Sequence, residues 1–193
     1  MYMRILLGEC AILKIVLMVM LAYCAGSITG AYYIAKWSVG KDIRQLGSGN
    51  AGARNAGREL GKKAFVFTLL IDMAKVMMVL SFVTLFFPQN KIMLLVSAFF
   101  LLIGHIWPVH LGFKGGKGVV VFLTSTLFLV PPAIGVLGTC VGISYWIVRN
   151  FTIAGLFSMA TIPVTAWILG EYYFAIGLFS LLVIVVISHI KDA

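Results

Sequence analysis

Long apolar segments constrain the fold of this chain more than any other feature of its sequence. A helix that crosses a bilayer needs about 20 consecutive, mainly apolar residues. Five segments come close to that length or exceed it: residues 11–35, 64–87, 91–110, 152–169 and 172–190. Only 11% of the 193 residues are charged, far below the proportion of about a quarter in soluble domains. We therefore predict an all-α membrane protein with one integral membrane domain, residues 1–193.

The apolar stretch 119–148 needs a separate interpretation. Its 30 residues are too many for one span and few for two, and Pro131 and Pro132 lie near its middle. Consecutive prolines break a helix because they lack the backbone N–H and clash with the preceding turn. We predict two short helices joined by a tight prolyl turn, which brings the total to seven transmembrane helices.

The distribution of charge predicts the orientation of these helices. Cytoplasmic loops of membrane proteins collect Lys and Arg, and residues 36–63 carry seven of them against two acidic residues. If residues 119–148 form a hairpin, four further basic residues lie on the same side: Lys114, Lys117, Arg149 and Lys191. We predict a cytoplasmic C-terminus and an N-terminus outside. The same bias accounts for the net charge of +9 without a nucleic-acid partner.

Motifs for metal binding and for covalent catalysis are absent from the sequence. Cys10, Cys24 and Cys140 lie far apart in apolar runs, without the spacing of a metal site or a disulfide framework. No serine nucleophile elbow occurs. Neither His105 nor His110 is followed by an acid at the offset that one large class of acyltransferases uses. We predict no metal and no organic cofactor.

Two glycine-rich polar stretches interrupt the apolar pattern, both on the predicted cytoplasmic side. Residues 41–55 contain a GxGxxG pattern that begins at Gly47, but the βαβ unit of a dinucleotide site has no place between two membrane helices. Glycines let the backbone approach a ligand, and successive N–H groups in such turns bind anions. Arg44 and Arg54 can add contacts to phosphate oxygens. An anion site is favoured here over a plain basic loop.

The second stretch, residues 104–118, carries Lys114 and Lys117 among its glycines and leads into the next predicted helix. It lacks the GxxxxGK[ST] pattern of a P-loop, because Gly118 follows Lys117. A glycine-rich turn with lysine at a helix N-terminus is a phosphate-binding arrangement. We predict a second anion site here, and expect the two stretches to meet at the inner leaflet boundary.

Polar residues beside or inside the spans add further candidates. His105 lies near the start of the second stretch, beside its glycine-rich turn, and suits acid–base chemistry. Asp72 and Lys75 share one helix face, about 12–18 Å below the cytoplasmic end. A structural ion pair and a substrate-facing pair both remain open for them. Ser27 lies among small residues that favour close helix packing, and a nucleophilic role is its alternative.

Several short strings are shared with a known family. They are, in chain order, Gly26-Ser27-Ile28, Asp42-Ile43-Arg44, Gly47-Ser48-Gly49-Asn50, LIDMAK at residues 70–75, and residues 104–118 with the ending FKGGKG. Together they resemble the PlsY family of bacterial acyl-phosphate:glycerol-3-phosphate acyltransferases, over most of the chain. The resemblance implies seven transmembrane helices, a long-chain acyl phosphate donor and glycerol 3-phosphate as acceptor. The implied products are 1-acylglycerol 3-phosphate (lysophosphatidate), a phospholipid precursor, and phosphate.

The hypothesis is a direct transfer in which the glycerol hydroxyl attacks the acyl carbonyl and phosphate leaves. The catalytic candidates are His105, Asp42 and Ser27, and the hydroxyl proton goes to His105, to Asp42 or to the substrate's own phosphate. The substrate-binding candidates come from both stretches and from two later positions: Lys41, Arg44, Gly47, Ser48, Gly49, Asn50, Lys114, Gly115, Gly116, Lys117, Arg149 and His189. The acyl chain is expected between helices that are open to membrane lipid, at the cytoplasmic face of the bacterial cell membrane.

The sequence departs from the family pattern in three places. Arg54 stands where the family usually has Thr, and Asp192 follows His189 where the family usually has Asn. A serine-rich string of the family is replaced by residues 149–155. The acceptor-binding end is therefore expected to differ, and a divergent paralogue with reduced or altered activity is one alternative. A membrane carrier for an anionic phosphorylated solute is another.

Overall fold

The computed structural model describes residues 2–190, with side chains from residue 12 onward. Two residues with a predicted role, Lys191 and Asp192, lie outside that range. Within it the chain forms ten α-helices: α1 (Tyr2–Ser27), α2 (Gly30–Val39), α3 (Ala53–Leu60), α4 (Lys62–Phe86), α5 (Lys91–Ile106), α6 (Val119–Leu129), α7 (Pro131–Val148), α8 (Phe151–Ser158), α9 (Thr161–Ile168) and α10 (Tyr172–Ile190).

The helical membrane fold agrees with the prediction. Five stretches within the described residues are long and apolar enough to cross a membrane: Lys62–Phe86, Lys91–Leu111, Pro131–Val148, Phe151–Ile168 and Tyr172–Ile190. Helices α1 and α2 make a sixth if the bent pair counts as one span, whereas α6 has only 11 residues. The count of seven spans and the orientation of the termini stay predictions.

The first predicted span is interrupted. The apolar run 11–35 predicts one helix, but α1 ends at Ser27, α2 begins at Gly30, and their axes differ by 42°. Thr29 has an extended backbone at this break. Unpaired backbone groups inside a bilayer are unfavourable unless other protein groups satisfy them. Here they are satisfied by α4, whose Lys75 Nζ donates to the carbonyl oxygens of Gly26 at 3.0 Å and Ile28 at 2.6 Å.

The stretch 119–148 does break at its prolines, as predicted. Helix α6 ends at Leu129 and α7 begins at Pro131, with Val130 between them. Proline suits the first turn of a helix, since the N–H groups there lack an intrahelical acceptor. Two details were not predicted: residues 152–169 form α8 and α9 with a turn between them, and α3 lies inside the segment read as a polar loop.

The interior lies between α1, α4, α5, α6 and α10. Fully buried side chains there include Leu80, Leu101, Phe122 and Leu178. Helices α1 and α5 approach closely because Gly26 and Gly104 have no side chain; a Cβ at either would overlap the backbone of the other helix. Many large apolar side chains face outward instead, which is the arrangement expected when lipid surrounds the protein.

Candidate active site

The two glycine-rich stretches lie against each other, as the sequence predicts. The backbone N–H of Ala51 donates to the carbonyl oxygen of Gly115 at 3.2 Å. The Arg44 guanidinium also crosses between the stretches and donates to the carbonyl oxygen of Leu111. The two stretches therefore form one continuous surface between the ends of α2, α5 and α6.

The first stretch owes its shape to two glycines and one asparagine. Gly47 and Gly49 have φ values of +55° and +73°, which side chains rarely adopt. The side-chain oxygen of Asn55 accepts from the N–H of Ser48 at 3.1 Å, and its amide nitrogen donates to the carbonyl oxygen of Leu46 at 3.0 Å. Asn55 is only 2% exposed, so α3 holds this loop in place from beneath.

The second stretch packs directly on the end of α5. The N–H groups of Gly115 and Gly116 donate to the carbonyl oxygens of Ile106 and His105, each at 3.0 Å. A Cβ at Gly116 would overlap the His105 Nε2 atom, and one at Gly115 would overlap the His105 carbonyl oxygen. These two glycines therefore allow close packing around His105, and their N–H groups already have backbone acceptors.

A cavity of about 540 Å³ opens where the two stretches meet. Its polar lining comes from the two glycine-rich stretches and from α3, α4, α5, α8 and α10: Ser48, Asn50, Arg54, Asn55, Arg58, Asp72, His105, Lys117, Thr152 and His189. Its apolar lining comes mainly from α4, α6 and α8: Phe65, Leu69, Val120, Leu123, Leu156 and Met159. The cavity therefore has a polar end that continues into an apolar wall.

The charge of the lining favours an anion. Arg54, Arg58 and Lys117 are cationic, and Asp72 is the one acidic residue in the lining among the described residues. Arg54 and Arg58 are exposed at the mouth, whereas Asp72 and His105 are buried. A cleft lined by one sign of charge raises the local concentration of oppositely charged ligands, so the mouth suits phosphate groups.

Asp72, Lys75 and His105 form a cluster at the buried end. Lys75 Nζ lies 2.9 Å from Asp72 Oδ1 and 2.9 Å from His105 Nδ1. Asp72 Oδ1 also accepts from the N–H of Gly30 at 3.3 Å. The pair thus braces the break between α1 and α2 while Asp72 lines the cavity. The pair therefore has a structural role, and Asp72 also lines the cavity; a substrate-facing role for it stays a prediction.

Hydrogen-bond partners give the two cavity histidines opposite tautomers. Lys75 Nζ has only hydrogens to offer, so His105 Nδ1 accepts and the proton of a neutral imidazole lies on Nε2. His189 Nδ1 lies 2.8 Å from the carbonyl oxygen of Val185, which can only accept, so Nδ1 carries the proton and Nε2 is left as an acceptor. His105 therefore offers a donor and His189 an acceptor.

Comparison with known proteins assigns the family. The profile of the family described as glycerol-3-phosphate acyltransferase matches residues 16–193. The chain belongs to the glycerol-3-phosphate acyltransferase family. A relative of the same name from Bacillus thuringiensis is 36% identical over 88% of this chain and 92% of its own length. Another from Dehalococcoides mccartyi is 35% identical over 77% of this chain and 74% of its own.

Solved structures of this acyltransferase family share the fold. The crystal structure of PlsY, an integral membrane glycerol 3-phosphate acyltransferase, in its glycerol 3-phosphate form has a TM-score of 0.83 and 27% identity, and the match covers 93% of this chain and 90% of that one. Its lysophosphatidic acid form has a TM-score of 0.81 and 26% identity, with 93% and 89% covered. The chain is therefore an integral membrane acyltransferase of glycerolipid synthesis.

Several candidate residues of the acyltransferase lie outside the cavity lining. Lys41 and Lys114 are exposed elsewhere on the loops, and Arg149 is exposed at the end of α7 with φ +55°. The Ser27 hydroxyl donates to the Tyr23 carbonyl oxygen at 2.8 Å in the α1–α5 contact. Gly47, Gly49, Gly115 and Gly116 shape the two loops behind the lining.

Asp42 and Arg44 also lie outside the lining and pair with each other at 2.6 Å. Asp42 accepts from the N–H of Arg44 at 3.0 Å and so caps a short 3₁₀ turn at Ile43–Gln45. The side-chain hydrogen bond from Arg44 lowers the pKa of the Asp42 carboxyl below its ordinary value. The same bond raises the pKa of Arg44. The pair shapes the loop that carries Ser48 and Asn50.

The lining also contains Arg58, to which the sequence assigns no site role, together with Arg54, a predicted phosphate contact. Arg58 and Arg54 are four residues apart, so both lie on one face of α3. The Arg54 guanidinium donates to the Thr152 hydroxyl and links α3 to α8. Two positions that depart from the family pattern thus contact each other. The amphipathic pattern of Ala53–Leu60 could have predicted a short helix with Arg54 and Arg58 on one face. The many charged residues around it favour a loop instead, so the pattern was missed.

Proposed function

We propose that this protein transfers the acyl group of a long-chain acyl phosphate to glycerol 3-phosphate and releases 1-acylglycerol 3-phosphate and phosphate. Family membership supports the reaction class, and the resemblance in the sequence supports the acyl-phosphate donor. One observation carries the proposal: the cavity joins a cationic mouth to an apolar wall. A lipid-like donor and a small phosphorylated acceptor need both features in one place.

Electrostatics is the main contribution of the cationic mouth. Each phosphate carries a charge of about −1.5 to −2 near neutral pH, and two such groups repel strongly when they lie close together at low dielectric. Arg54, Arg58 and Lys117 offset this repulsion and stabilise the leaving phosphate. The apolar side chains of Leu123, Leu156 and their neighbours contact the acyl chain.

The chemical step needs no covalent intermediate with the protein. The primary hydroxyl oxygen of glycerol 3-phosphate forms a bond with the acyl carbon, and the bond from that carbon to the phosphate oxygen breaks. The hydroxyl proton passes to His189 Nε2 or to a phosphate oxygen of the substrate. His105 Nε2–H and Lys117 supply donors for developing negative charge. Asp42 lies too far from the lining, in its pair with Arg44, to take the proton.

The proposed topology places this chemistry on the cytoplasmic side of the cell membrane. The seven predicted spans put both glycine-rich stretches on that side, together with most of the basic residues. The short helix α6 and helix α7 form the proposed hairpin, in which α6 is the more buried of the two. Membrane lipid surrounds the bundle. This arrangement gives a soluble phosphorylated acceptor direct access to the mouth.

Product analysis with purified protein tests the proposal. Protein in lipid vesicles receives radiolabelled glycerol 3-phosphate with either palmitoyl phosphate or palmitoyl coenzyme A. We expect equal amounts of lysophosphatidate and phosphate from the acyl phosphate, and none from the thioester. Labelled ester accumulating inside the vesicles without lysophosphatidate would favour the carrier instead. A product from another acceptor alone would favour the divergent paralogue.

A further inference from the structure

One carboxylate oxygen at the buried end of the cavity lacks a partner. Asp72 is 1% exposed and belongs to the cavity lining. Its Oδ1 atom contacts Lys75 Nζ and the N–H of Gly30. Its Oδ2 atom is buried and has no hydrogen-bond partner among the residues that the structure describes. Buried polar atoms in folded proteins are nearly always hydrogen-bonded, so this oxygen calls for a donor that enters the cavity.

Neither of the two basic neighbours of Asp72 supplies that donor. Lys75 Nζ already contacts Asp72 Oδ1, His105 Nδ1 and the carbonyl oxygens of Gly26 and Ile28, which exceeds its three hydrogens. His105 Nδ1 lies 3.7 Å from Asp72 Oδ1, but it accepts from Lys75 and therefore has no proton for the carboxylate. A molecule that enters the cavity, water or a substrate, can supply this donor.

The chemistry of a carboxylate limits which ligand group fits. A phosphate oxygen is negatively charged and would be repelled by Asp72, whereas a neutral hydroxyl donates a strong hydrogen bond to it. A hydroxyl of a phosphorylated acceptor therefore suits this end of the cavity, and its phosphate suits the cationic mouth at Arg54, Arg58 and Lys117.

We propose that Asp72 determines acceptor specificity by accepting a hydrogen bond from the carbon-2 hydroxyl of the phosphorylated acceptor. This inference rests on the proposed function. The reacting hydroxyl at carbon 1 fits less well, because a carboxylate beside the attacked carbonyl opposes the negative charge that develops there. A site built to pair with a hydroxyl rejects an analogue that lacks it, since the buried partner is then left unpaired.

An acceptor analogue tests the proposal on the unmodified protein. The compound 3-hydroxypropyl phosphate keeps the phosphate and the primary hydroxyl of glycerol 3-phosphate but lacks the carbon-2 hydroxyl. We expect kcat/KM to be about 10- to 100-fold higher for glycerol 3-phosphate, the range of one hydrogen bond to a charged group. A preference below threefold would overturn the proposal without any variant having to fold.

The variant Asp72→Asn then assigns that preference to its residue. The amide keeps the shape and one oxygen but loses the charge, so the preference is expected to fall at least threefold, mainly through a higher KM for glycerol 3-phosphate. Glu171→Gln is the matched control, since it makes the same change in an ion pair with Lys91 far from the cavity, and should keep the wild-type preference. An equal loss of kcat on both acceptors, or an unchanged preference, would contradict the proposal.

Binding without a donor separates this inference from the proposed reaction. Calorimetric titration of the wild-type protein with each acceptor should reproduce the preference for glycerol 3-phosphate even if no acyl transfer is found with any donor. Loss of transfer with the preference retained would count against the proposed function alone. Equal affinity for the two compounds would count against Asp72 as the specificity determinant.

Discussion

Two ion pairs of similar composition differ in nearly every physical respect. Asp42 and Arg44 are 2.6 Å apart on a loop, with side chains 13% and 24% exposed. Asp72 and Lys75 are 2.9 Å apart inside α4, with side chains 1% and 6% exposed. The first pair caps a turn and crosses to the second glycine-rich stretch, whereas the second braces a broken helix and faces the cavity.

Burial, more than charge, decides what such a pair contributes to the protein. Water solvates the loop pair if it opens, so its net contribution is small. The buried pair has no such alternative, and loss of either partner leaves an uncompensated charge at low dielectric. The buried pair therefore links the packing of the helices to the cavity directly, whereas the loop pair acts on the cavity only through the loop that carries Ser48 and Asn50.

The largest expected effect is that of Lys75→Met. The substitution leaves the Asp72 carboxylate unpaired and two carbonyl oxygens of the α1–α2 break without a donor. We expect the free energy of unfolding to fall by about 3–5 kcal/mol, measured by thermal denaturation in a mild detergent. The double variant Asp72→Asn/Lys75→Met removes both charges and should recover part of the loss. A change below about 1 kcal/mol would mean that the buried pair behaves like an exposed one.

The cavity lysine beside this cluster comes next in expected effect. Lys117→Met removes a cation from the lining while its backbone carbonyl keeps the hydrogen bond from Ser188. We expect kcat/KM for glycerol 3-phosphate to fall about 10- to 100-fold, the range for a charge-assisted contact. Lys91→Met provides the control at an exposed lysine far from the cavity. Equal rates for Lys117→Met and wild type would remove Lys117 from the site.

A smaller effect is expected at the loop pair. Arg44→Met breaks the bond to Asp42 and the one to the Leu111 carbonyl oxygen, but water replaces much of what is lost. The free energy of unfolding should fall by about 1 kcal/mol, and chemical denaturation of the purified protein would measure it. A loss as large as that of Lys75→Met would break the contrast between the two pairs.

The smallest expected effect is the loss of the stabilisation by the Asp42–Arg44 pair at low pH. Because the Arg44 side chain lowers the pKa of Asp42 in the folded protein, the pair stabilises the fold above the ordinary aspartate pKa of about 3.9. That stabilisation is lost as the pH falls through the lower folded pKa. The difference in melting temperature between wild type and Arg44→Met should therefore shrink below about pH 4. A difference that grew on acidification would contradict this sign.

The sequence predicts the helices well because lipid imposes a simple length rule on apolar segments. It also predicts that the two glycine-rich stretches meet, since the pattern of both suits anion binding and the charge distribution predicts them on the same side of the membrane. The break at residues 28–29 escapes prediction because Lys75, 47 residues from Ile28 along the chain, satisfies the open carbonyl groups. Local sequence around the break contains no sign of that partner.

The sequence predicts where the site lies better than it predicts which residues line the cavity. Lys117 and His189 line the cavity as predicted candidates, whereas Lys41 and Lys114 carry the same kind of charge and point elsewhere. Arg58 is in the lining because α3 folds beneath the first loop and is held through Asn55. Such distinctions depend on how separate helices pack, and the residue types alone do not contain them.

A structure with glycerol 3-phosphate bound would test the central claim most directly. We predict the phosphate within hydrogen-bond reach of Lys117 and of Arg54 or Arg58, and a hydroxyl about 3 Å from Asp72 Oδ2. We also predict that the bound molecule lies between the two glycine-rich stretches, with its primary hydroxyl directed at the apolar wall. A phosphate bound instead at the exposed side chains of Lys41 and Lys114, with only lipid in the cavity, would contradict the proposed site.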